Sequence, residues 1–172
     1  MVPRVIAVDP FDLVVFGATG DLAGRKLIPA LYRRCADGQM PDSARVLGVS
    51  RRAMSDGEFR HAAEESLLAH VPPADRDAAA IARFLARLSY VAADAGADAG
   101  WPELAAWLQA RPGRIRVFYL ATAPELFGPI CERLAAHGLN DGDARVVVEK
   151  PIGKSLASAR AVNDAVGTAF PE

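Results

Sequence analysis

Three short stretches of the sequence carry residues of the types that bind phosphate. A glycine-rich turn at 17–20 follows an apolar run and precedes a segment with helical spacing. Arg51 follows a second apolar run, and Lys150 follows a third. Backbone N–H groups at the start of a helix bind phosphate, and guanidinium and ammonium groups neutralise its charge. The first stretch therefore predicts a dinucleotide site, and the other two are candidates to complete it.

The turn has the form G-x-x-G-x-x-A, one residue longer in its first interval than the common G-x-G-x-x-G. Gly17 would allow the tight turn, and Gly20 would let backbone N–H groups approach a pyrophosphate. Ala23 is small enough for the helix to pack closely against the preceding strand. Glycines also close ordinary turns, so the prediction depends on the strand and the helix on either side.

The residues after the second apolar run bear on which dinucleotide binds. An NAD site usually has Asp or Glu there, which accepts a hydrogen bond from the ribose 2′-OH. This chain has Ser50, Arg51 and Arg52 instead. A guanidinium can hold a 2′-phosphate, so the pattern favours NADP, with a solvated surface arginine as the alternative.

Lys150 stands between Glu149 and Pro151, directly after the last apolar run. Proline disfavours helical geometry in the residue before it and permits a cis peptide bond. A lysine held there could reach a phosphate, a hydroxyl or the nicotinamide end of a cofactor. A solvated lysine at a turn is the other interpretation.

Strand-like and helix-like segments alternate along the chain. This predicts a Rossmann-like, doubly wound α/β fold with a mainly parallel sheet and helices on both faces, over one domain, residues 1–172. Pro29 predicts a kink or a non-helical turn near Ile28. We expect strands at 12–16, 45–50, 88–91, 114–121 and 144–149, the last one buried, and helices at about 21–36, 55–70, 75–87, 102–110, 124–137 and 155–166.

Composition excludes several classes of protein. The net charge of −1 gives no reason to expect nucleic acid as a partner. No apolar run approaches the roughly 20 residues that span a bilayer, and residues 1–10 do not look like a secretory leader, so a cytoplasmic protein is expected. Cys35 and Cys131 have neither metal-type spacing nor a CxxC pattern, and we expect reduced thiols in the core.

Other catalytic patterns fail. The glycine-rich turn would suit a short-chain dehydrogenase, but no tyrosine is followed four residues later by lysine. Gly153-Lys154-Ser155 lacks the first glycine of a Walker A motif. His61, His70 and His137 stand on predicted helices with no arrangement that suggests a catalytic triad.

Four motifs together resemble the coenzyme domain of glucose-6-phosphate dehydrogenases. They are Gly17-Ala18-Thr19-Gly20-Asp21-Leu22-Ala23 with Lys26 and Pro29, Gly48-Val49-Ser50-Arg51, Val117-Phe118-Tyr119-Leu120-Ala121, and Val148-Glu149-Lys150-Pro151-Ile152-Gly153. They occur in the family's order and at compatible spacing over essentially the whole chain.

The resemblance implies an NADP site and oxidation of glucose 6-phosphate, the first step of the pentose phosphate pathway. It implies that Thr19 and Arg51 hold the 2′-phosphate. It also implies that Lys26 and Lys150 face the nicotinamide and the substrate, with Lys150 touching glucose 6-phosphate. The cofactor-binding residues it implies are Gly17, Ala18, Thr19, Gly20, Asp21, Leu22, Ala23, Gly24, Arg51 and Lys150.

The resemblance also places the family's catalytic histidine motif and substrate domain beyond Glu172. We therefore expect this chain to bind NADP without oxidising glucose 6-phosphate, and no residue of it is predicted to be the catalytic base. We further expect the strand at 146–148 to have an exposed edge through which copies self-associate. A non-catalytic module that senses NADP(H) remains the alternative.

Overall fold

A five-stranded sheet forms the centre of the molecule. The computed structural model describes residues 8–170. All neighbouring strands pair in parallel, in the order β3-β2-β1-β4-β5. The predicted Rossmann-like α/β fold is confirmed. The strands are β1 (Phe11–Phe16), β2 (Arg45–Ser50), β3 (Leu88–Ala92), β4 (Ile115–Leu120) and β5 (Ala144–Val148).

Six α-helices in the described part of the chain cover the two faces of the sheet. Successive side chains of a strand point to opposite faces, so Leu13 and Val15 of β1 enter one core and Val14 and Phe16 the other. β1 is therefore buried on both faces. The first core is closed by α1 (Ile28–Ala36), α2 (Asp56–His70) and α3 (Ala78–Leu85), and the second by α4 (Trp101–Gln109), α5 (Phe127–Ala136) and α6 (Leu156–Ala169).

The chain enters α1 through a π-helical turn, Ala23–Leu27. In this turn the N–H of Ile28 donates to the carbonyl of Ala23, five residues back. The expected irregularity before Pro29 is present, but as a widened helical turn. The non-helical alternative was wrong, because the wider turn accommodates the proline ring without leaving helical geometry.

The last strand differs from its prediction. We expected 144–149 to be buried, but exposure alternates along β5, and Arg145 and Val147 are exposed. The reason is position: β5 lies at the edge of the sheet, and the second core reaches it only through Val146 and Val148.

Both cysteines are free thiols; Cys131 is buried and Cys35 half-buried. Burial raises the pKa of Cys131 from 9.0 to about 11.

Among residues 8–170, no helix has the length and apolar character needed to cross a membrane. The expectation of no leader at 1–10 falls mostly on residues 1–7, which lie outside the described part of the chain, as do residues 171–172.

Candidate functional site

A cavity of about 700 Å³ opens at the carboxyl ends of β1, β2 and β4. The connection after β1 leads to β2 on one side, while β4 pairs on the other side, so the strand order reverses here. Open α/β sheets bind ligands at such a point. Of the predicted site residues, Gly17, Thr19, Gly20 and Arg51 line this cavity.

Gly17 has a left-handed backbone with φ of +80°. A Cβ there would lie 2.4 Å from the carbonyl oxygen of Ala121, so no other residue fits without displacing β4 from β1. The N–H groups of Gly17 and Ala18 donate to the carbonyl of Val49 at 2.8 and 3.1 Å. These contacts close the turn against the end of β2.

The turn leaves other N–H groups for an anion. The N–H of Gly20 donates to the carbonyl of Gly17 at 2.9 Å and is used by the turn itself. Among the described residues, the N–H of Thr19 has no hydrogen-bond acceptor. Helical residues begin at Asp21, so the first N–H groups of that helix also lack intrahelical partners and carry its positive end.

The other predicted residues of the segment 17–24 lie in three different environments: the first core, a second cavity and the surface outside both cavities. Ala23 is 1% exposed and packs in the first core, as its small size predicted. Ala18 and Gly24 border a second cavity of about 150 Å³ behind the turn. Asp21 and Leu22 line neither cavity, and Asp21 is exposed and forms an ion pair with Arg25 at 3.6 Å. A cofactor contact by Asp21 or Leu22 stays a prediction.

Two arginines follow β2 at the cavity. Arg51 and Arg52 are both exposed, and neither forms an ion pair within residues 8–170. Arg52 borders both cavities, together with Thr19 and Gly20. The sequence prediction selected Arg51 alone, although the adjacent Arg52 was the available signal for a second guanidinium.

Hydroxyl groups connect the turn to the ends of β2 and β3. The Thr19 hydroxyl donates to Ser50 Oγ at 3.1 Å, and Ser50 Oγ lies 2.6 Å from the hydroxyl of Tyr90. The Tyr90 hydroxyl donates to the carbonyl of Arg52 at 2.5 Å. Sequence reasoning did not select Ser50 or Tyr90; two hydroxyl residues on neighbouring strands gave a weak signal.

Thr122 lines the cavity at the end of β4. Its Oγ1 is buried and has no hydrogen-bond partner among the described residues. A buried hydroxyl without a partner is unfavourable, so this position suits a polar ligand atom that the side chain meets by rotating about χ1. Its place directly after a central strand was a signal that the sequence analysis did not use.

The two predicted lysines lie outside the cavity lining. Lys26 is exposed on the π-helical turn, and Lys150 is exposed after β5. The peptide bond between Lys150 and Pro151 is cis, one of the two forms that the sequence permitted. Lys26 and Lys150 have no ion-pair partner within residues 8–170. Their roles stay predictions.

Hydrogen bonds fix the N-terminus of α2, the helix that follows the two arginines. The N–H of Ser55 donates to Glu58 at 2.7 Å, and the N–H of Glu58 donates to Ser55 Oγ at 3.2 Å, and these two hydrogen bonds form a capping box. These hydrogen bonds, and to a smaller degree the charge of Arg52, lower the pKa of Glu58. α2 therefore begins at a fixed point a few residues after the arginines.

Comparison with known proteins identifies the family of this chain. A family model described as "Glucose-6-phosphate dehydrogenase, NAD binding domain" matches residues 14–172. The chain belongs to this family. It is 44% identical over 172 residues to glucose-6-phosphate 1-dehydrogenase of Rhizobium meliloti, covering all of this chain and 35% of that protein. It is 47% identical over 169 residues to the protein of that name from Mycolicibacterium smegmatis, covering 96% and 34%.

Solved structures agree with the sequence comparison. Glucose-6-phosphate 1-dehydrogenase from Mycobacterium avium superposes with a TM-score of 0.82 at 33% identity, over 94% of this chain and 34% of that one. A glucose-6-phosphate dehydrogenase in complex with its substrate glucose-6-phosphate also gives 0.82, at 28% identity, over 96% and 36%. The chain thus spans about a third of the length of the relatives it matches.

The residues of this NAD-binding domain fit a dinucleotide. Gly17 and Gly20 leave space where a Cβ would meet backbone oxygen, at 2.4 and 3.1 Å, so the turn stays tight and its outer side stays open. The two guanidiniums offer donors to phosphate or ribose oxygens, and the Thr122 hydroxyl, which has no partner among residues 8–170, would offer another after rotating about χ1. The walls between these donors are apolar, formed by Phe16, Val49, Ala93, Ala95, Leu126 and Ile130.

Proposed function

We propose that this domain binds NADP(H) in the larger cavity and prefers it to NAD(H). One observation carries the proposal: the guanidiniums of Arg51 and Arg52, which form no ion pair within residues 8–170, line the cavity after β2, where an NAD site usually has a carboxylate. A carboxylate there would repel a 2′-phosphate, whereas a guanidinium can bind it with two parallel hydrogen bonds.

Other residues would hold the rest of the cofactor. The N–H of Thr19 and the first N–H groups of the helix at Asp21 suit the pyrophosphate, because they are unpaired and lie at the positive end of the helix. Thr122 lies across the cavity at the end of β4, where its hydroxyl can donate to the cofactor after rotating about χ1. We propose that Lys26 and Lys150 serve the nicotinamide and substrate side.

We propose that the domain supplies the cofactor half of a glucose-6-phosphate dehydrogenase. Its relatives bear that name, and one was solved with glucose 6-phosphate bound. Bound NADP would accept the hydride when glucose 6-phosphate is oxidised to the 6-phosphoglucono-lactone. The oxidation also needs a base for the hydroxyl proton. None of the three histidines lines either cavity, so we expect this chain to bind the cofactor without turnover.

Lys150 is the residue that we propose to reach the sugar phosphate. It follows the carboxyl end of β5, and the cavity opens at the carboxyl ends of the neighbouring strands. Its ammonium group has no ion-pair partner within residues 8–170. A compact positive charge there suits a phosphate or a sugar hydroxyl.

We also propose that copies of this chain associate through β5. The strand is at the edge of the sheet and exposes Val147, and an exposed apolar edge strand is a template for pairing with a second chain.

Cofactor titration tests the main proposal. NADPH and NADH fluorescence should show tighter binding of NADPH to the chain. Arg51→Ala should weaken NADPH binding by at least about tenfold, the size of a lost charge-assisted hydrogen bond, and leave NADH binding almost unchanged. Arg83→Ala, an exposed arginine of α3, removes the same charge away from the cavity and should change neither. Equal losses for both cofactors in Arg51→Ala would contradict the proposal.

A further inference from the structure

Ser50 is the centre of a hydrogen-bond network at the end of β2. Its Oγ is within hydrogen-bond distance of the Thr19 hydroxyl at 3.1 Å, the Tyr90 hydroxyl at 2.6 Å and the N–H of Arg52 at 3.2 Å. The Tyr90 hydroxyl in turn contacts the carbonyl of Arg52 at 2.5 Å. The network thus joins the phosphate-binding turn, β2 and β3.

The direction of each hydrogen bond follows from the groups involved. A carbonyl can only accept, so the single proton of the Tyr90 hydroxyl goes to Arg52. Tyr90 must then accept the single proton of Ser50. With that proton used, Ser50 Oγ accepts from Arg52 N–H and from the Thr19 hydroxyl. Each hydroxyl proton in the network therefore has a single acceptor.

The network holds both backbone polar groups of Arg52. Its N–H is bound by Ser50 and its C=O by Tyr90. Residues 51–54 lie outside helices and strands, and within residues 8–170 no other hydrogen bond holds the backbone of Arg51 or Arg52. Two hydroxyls on adjacent strands thus set the direction in which the chain carries the two guanidiniums.

We infer that Ser50 and Tyr90 are positioning residues that give this site its preference for a dinucleotide with a phosphate on its adenosine ribose, by holding the turn that bears Arg51 and Arg52. The inference rests on the proposed NADP(H) binding and deepens it. A guanidinium binds phosphate strongly only when its fork is correctly directed, and a turn fixed in advance avoids the entropic cost of ordering it on binding.

The structure allows the hydroxyl of Tyr90 to be removed alone. The Tyr90 ring is 7% exposed and packs on Phe59, with ring centroids 5.1 Å apart. Tyr90→Phe keeps this packing and deletes the contacts to Ser50 and Arg52. Ser50→Ala deletes the same network from its centre.

Tyr32→Phe is a matched control. The Tyr32 hydroxyl also bonds two backbone groups, donating to the carbonyl of Asp75 and accepting from the N–H of Asp77, both at 3.0 Å. Its ring is likewise buried, at 1% exposure, but it lines neither cavity. Loss of the Tyr32 hydroxyl should lower the free energy of unfolding without changing the preference for a ligand with a 2′-phosphate.

The test uses 2′,5′-ADP and 5′-AMP as probes, since they differ only in the 2′-phosphate. We expect Tyr90→Phe and Ser50→Ala each to weaken 2′,5′-ADP binding to the 172-residue chain about fivefold, as for one lost hydrogen bond, and to leave 5′-AMP within about twofold. Tyr32→Phe should change neither probe. In an Arg51→Ala, Arg52→Ala background, Tyr90→Phe should no longer affect 2′,5′-ADP, because the hydroxyl acts through the arginines.

The outcomes separate the inference from the function on which it rests. If the unmodified chain prefers 2′,5′-ADP and both variants keep the full preference, the inference is wrong and the proposed function stands. Equal weakening of both probes, or an undiminished effect in the arginine-free background, also overturns it. If the unmodified chain shows no preference, the proposed function fails and the inference fails with it.

Discussion

The hydroxyl of Tyr119 donates a hydrogen bond to the carboxylate of Glu149, from β4 to the residue that follows β5. Tyr119 pairs in register with Val147, so Glu149 lies two residues further along on the same side of the edge strand. Because Glu149 directly precedes Lys150, this bond fixes the point at which the proposed substrate-side lysine leaves the sheet.

Tyr119 should titrate at unusually high pH. Burial, and then the hydrogen bond and the charge of Glu149, raise its pKa from 10.0 to about 12. The folded state thus holds the neutral phenol more strongly than the unfolded chain does. The stabilisation is complete below pH 10 and is lost as the pH rises through about 12.

Glu149→Gln should lower the Tyr119 pKa while leaving it above 10.0, because burial remains. The measurement is ultraviolet titration of phenolate, with the Tyr119 signal taken as the difference from Tyr119→Phe. Glu125→Gln, an exposed carboxylate paired with Lys154, is the control and should leave Tyr119 unchanged. An unaltered pKa in Glu149→Gln would show that the contact with Tyr119 is absent in solution.

Gly17→Ala should destabilise the fold strongly. The new Cβ would lie 2.4 Å from a backbone oxygen of Ala121, and φ is already +80°, so strain and displacement of β4 combine. We expect a loss of about 3 kcal/mol or more in the free energy of unfolding, measured by chemical denaturation.

Gly113→Ala separates these two causes. Gly113 has a similar φ of +74°, but a Cβ there meets no atom within 4 Å. It should lose only about 1 kcal/mol, the cost of the left-handed backbone. Equal losses for the two variants would mean that the contact with Ala121 does not require glycine.

Asp12 is a buried charged residue at the amino ends of the strands, opposite the cavity. It is 1% exposed and accepts from Arg45 Nε at 2.9 Å and Arg114 Nε at 2.8 Å. Asp12→Ala leaves two largely buried guanidiniums without their carboxylate, so unfolding should become easier by about 3–5 kcal/mol.

The matched control for Asp12→Ala is Asp141→Ala. Asp141 pairs with Arg116 at 2.8 Å but is 74% exposed, and its loss should cost at most about 1 kcal/mol. Denaturant unfolding checks both values, and NADPH affinity of the folded Asp12→Ala chain should match the unmodified chain. A loss near that of Asp141→Ala would contradict the assigned role of Asp12.

The sequence predicted the parts of the fold that depend on local patterns. β2 was placed at its observed bounds because Val46, Leu47 and Val49 form a buried run bounded by polar residues. The start of the second helix was expected near 55, where Ser55 and Glu58 form a capping box. The apolar run from Val146 to Val148 predicted a buried strand although the family resemblance implied an exposed edge, because such a run looks the same in a central strand and at an edge. Only the strand order distinguishes them.

In the candidate site, too, the residues that depend on local patterns were predictable and those that depend on tertiary contacts were not. Gly17, Gly20 and Arg51 were predictable because their residue types are tied to a turn and to a strand end. The contacts of Ser50 with Thr19 and Tyr90 span 31 and 40 residues and depend on which strands become neighbours. The orphaned hydroxyl of Thr122 depends on side-chain packing, which no local pattern specifies.

The edge strand provides the last prediction. If β5 pairs with β5 of a second copy, the chain should form dimers in a concentration-dependent way, measured by sedimentation equilibrium. Val147 is 38% exposed on this strand, and Val147→Lys gives each β5 a lysine, so like charges would lie on neighbouring strands of the joined sheet and the variant should remain monomeric. Leu156→Lys changes a more exposed apolar residue, at 69%, that belongs to α6 and not to β5, and this variant should dimerise like the unmodified chain. A monomeric unmodified chain at high concentration, or dimers that survive Val147→Lys, would show that β5 does not pair between copies.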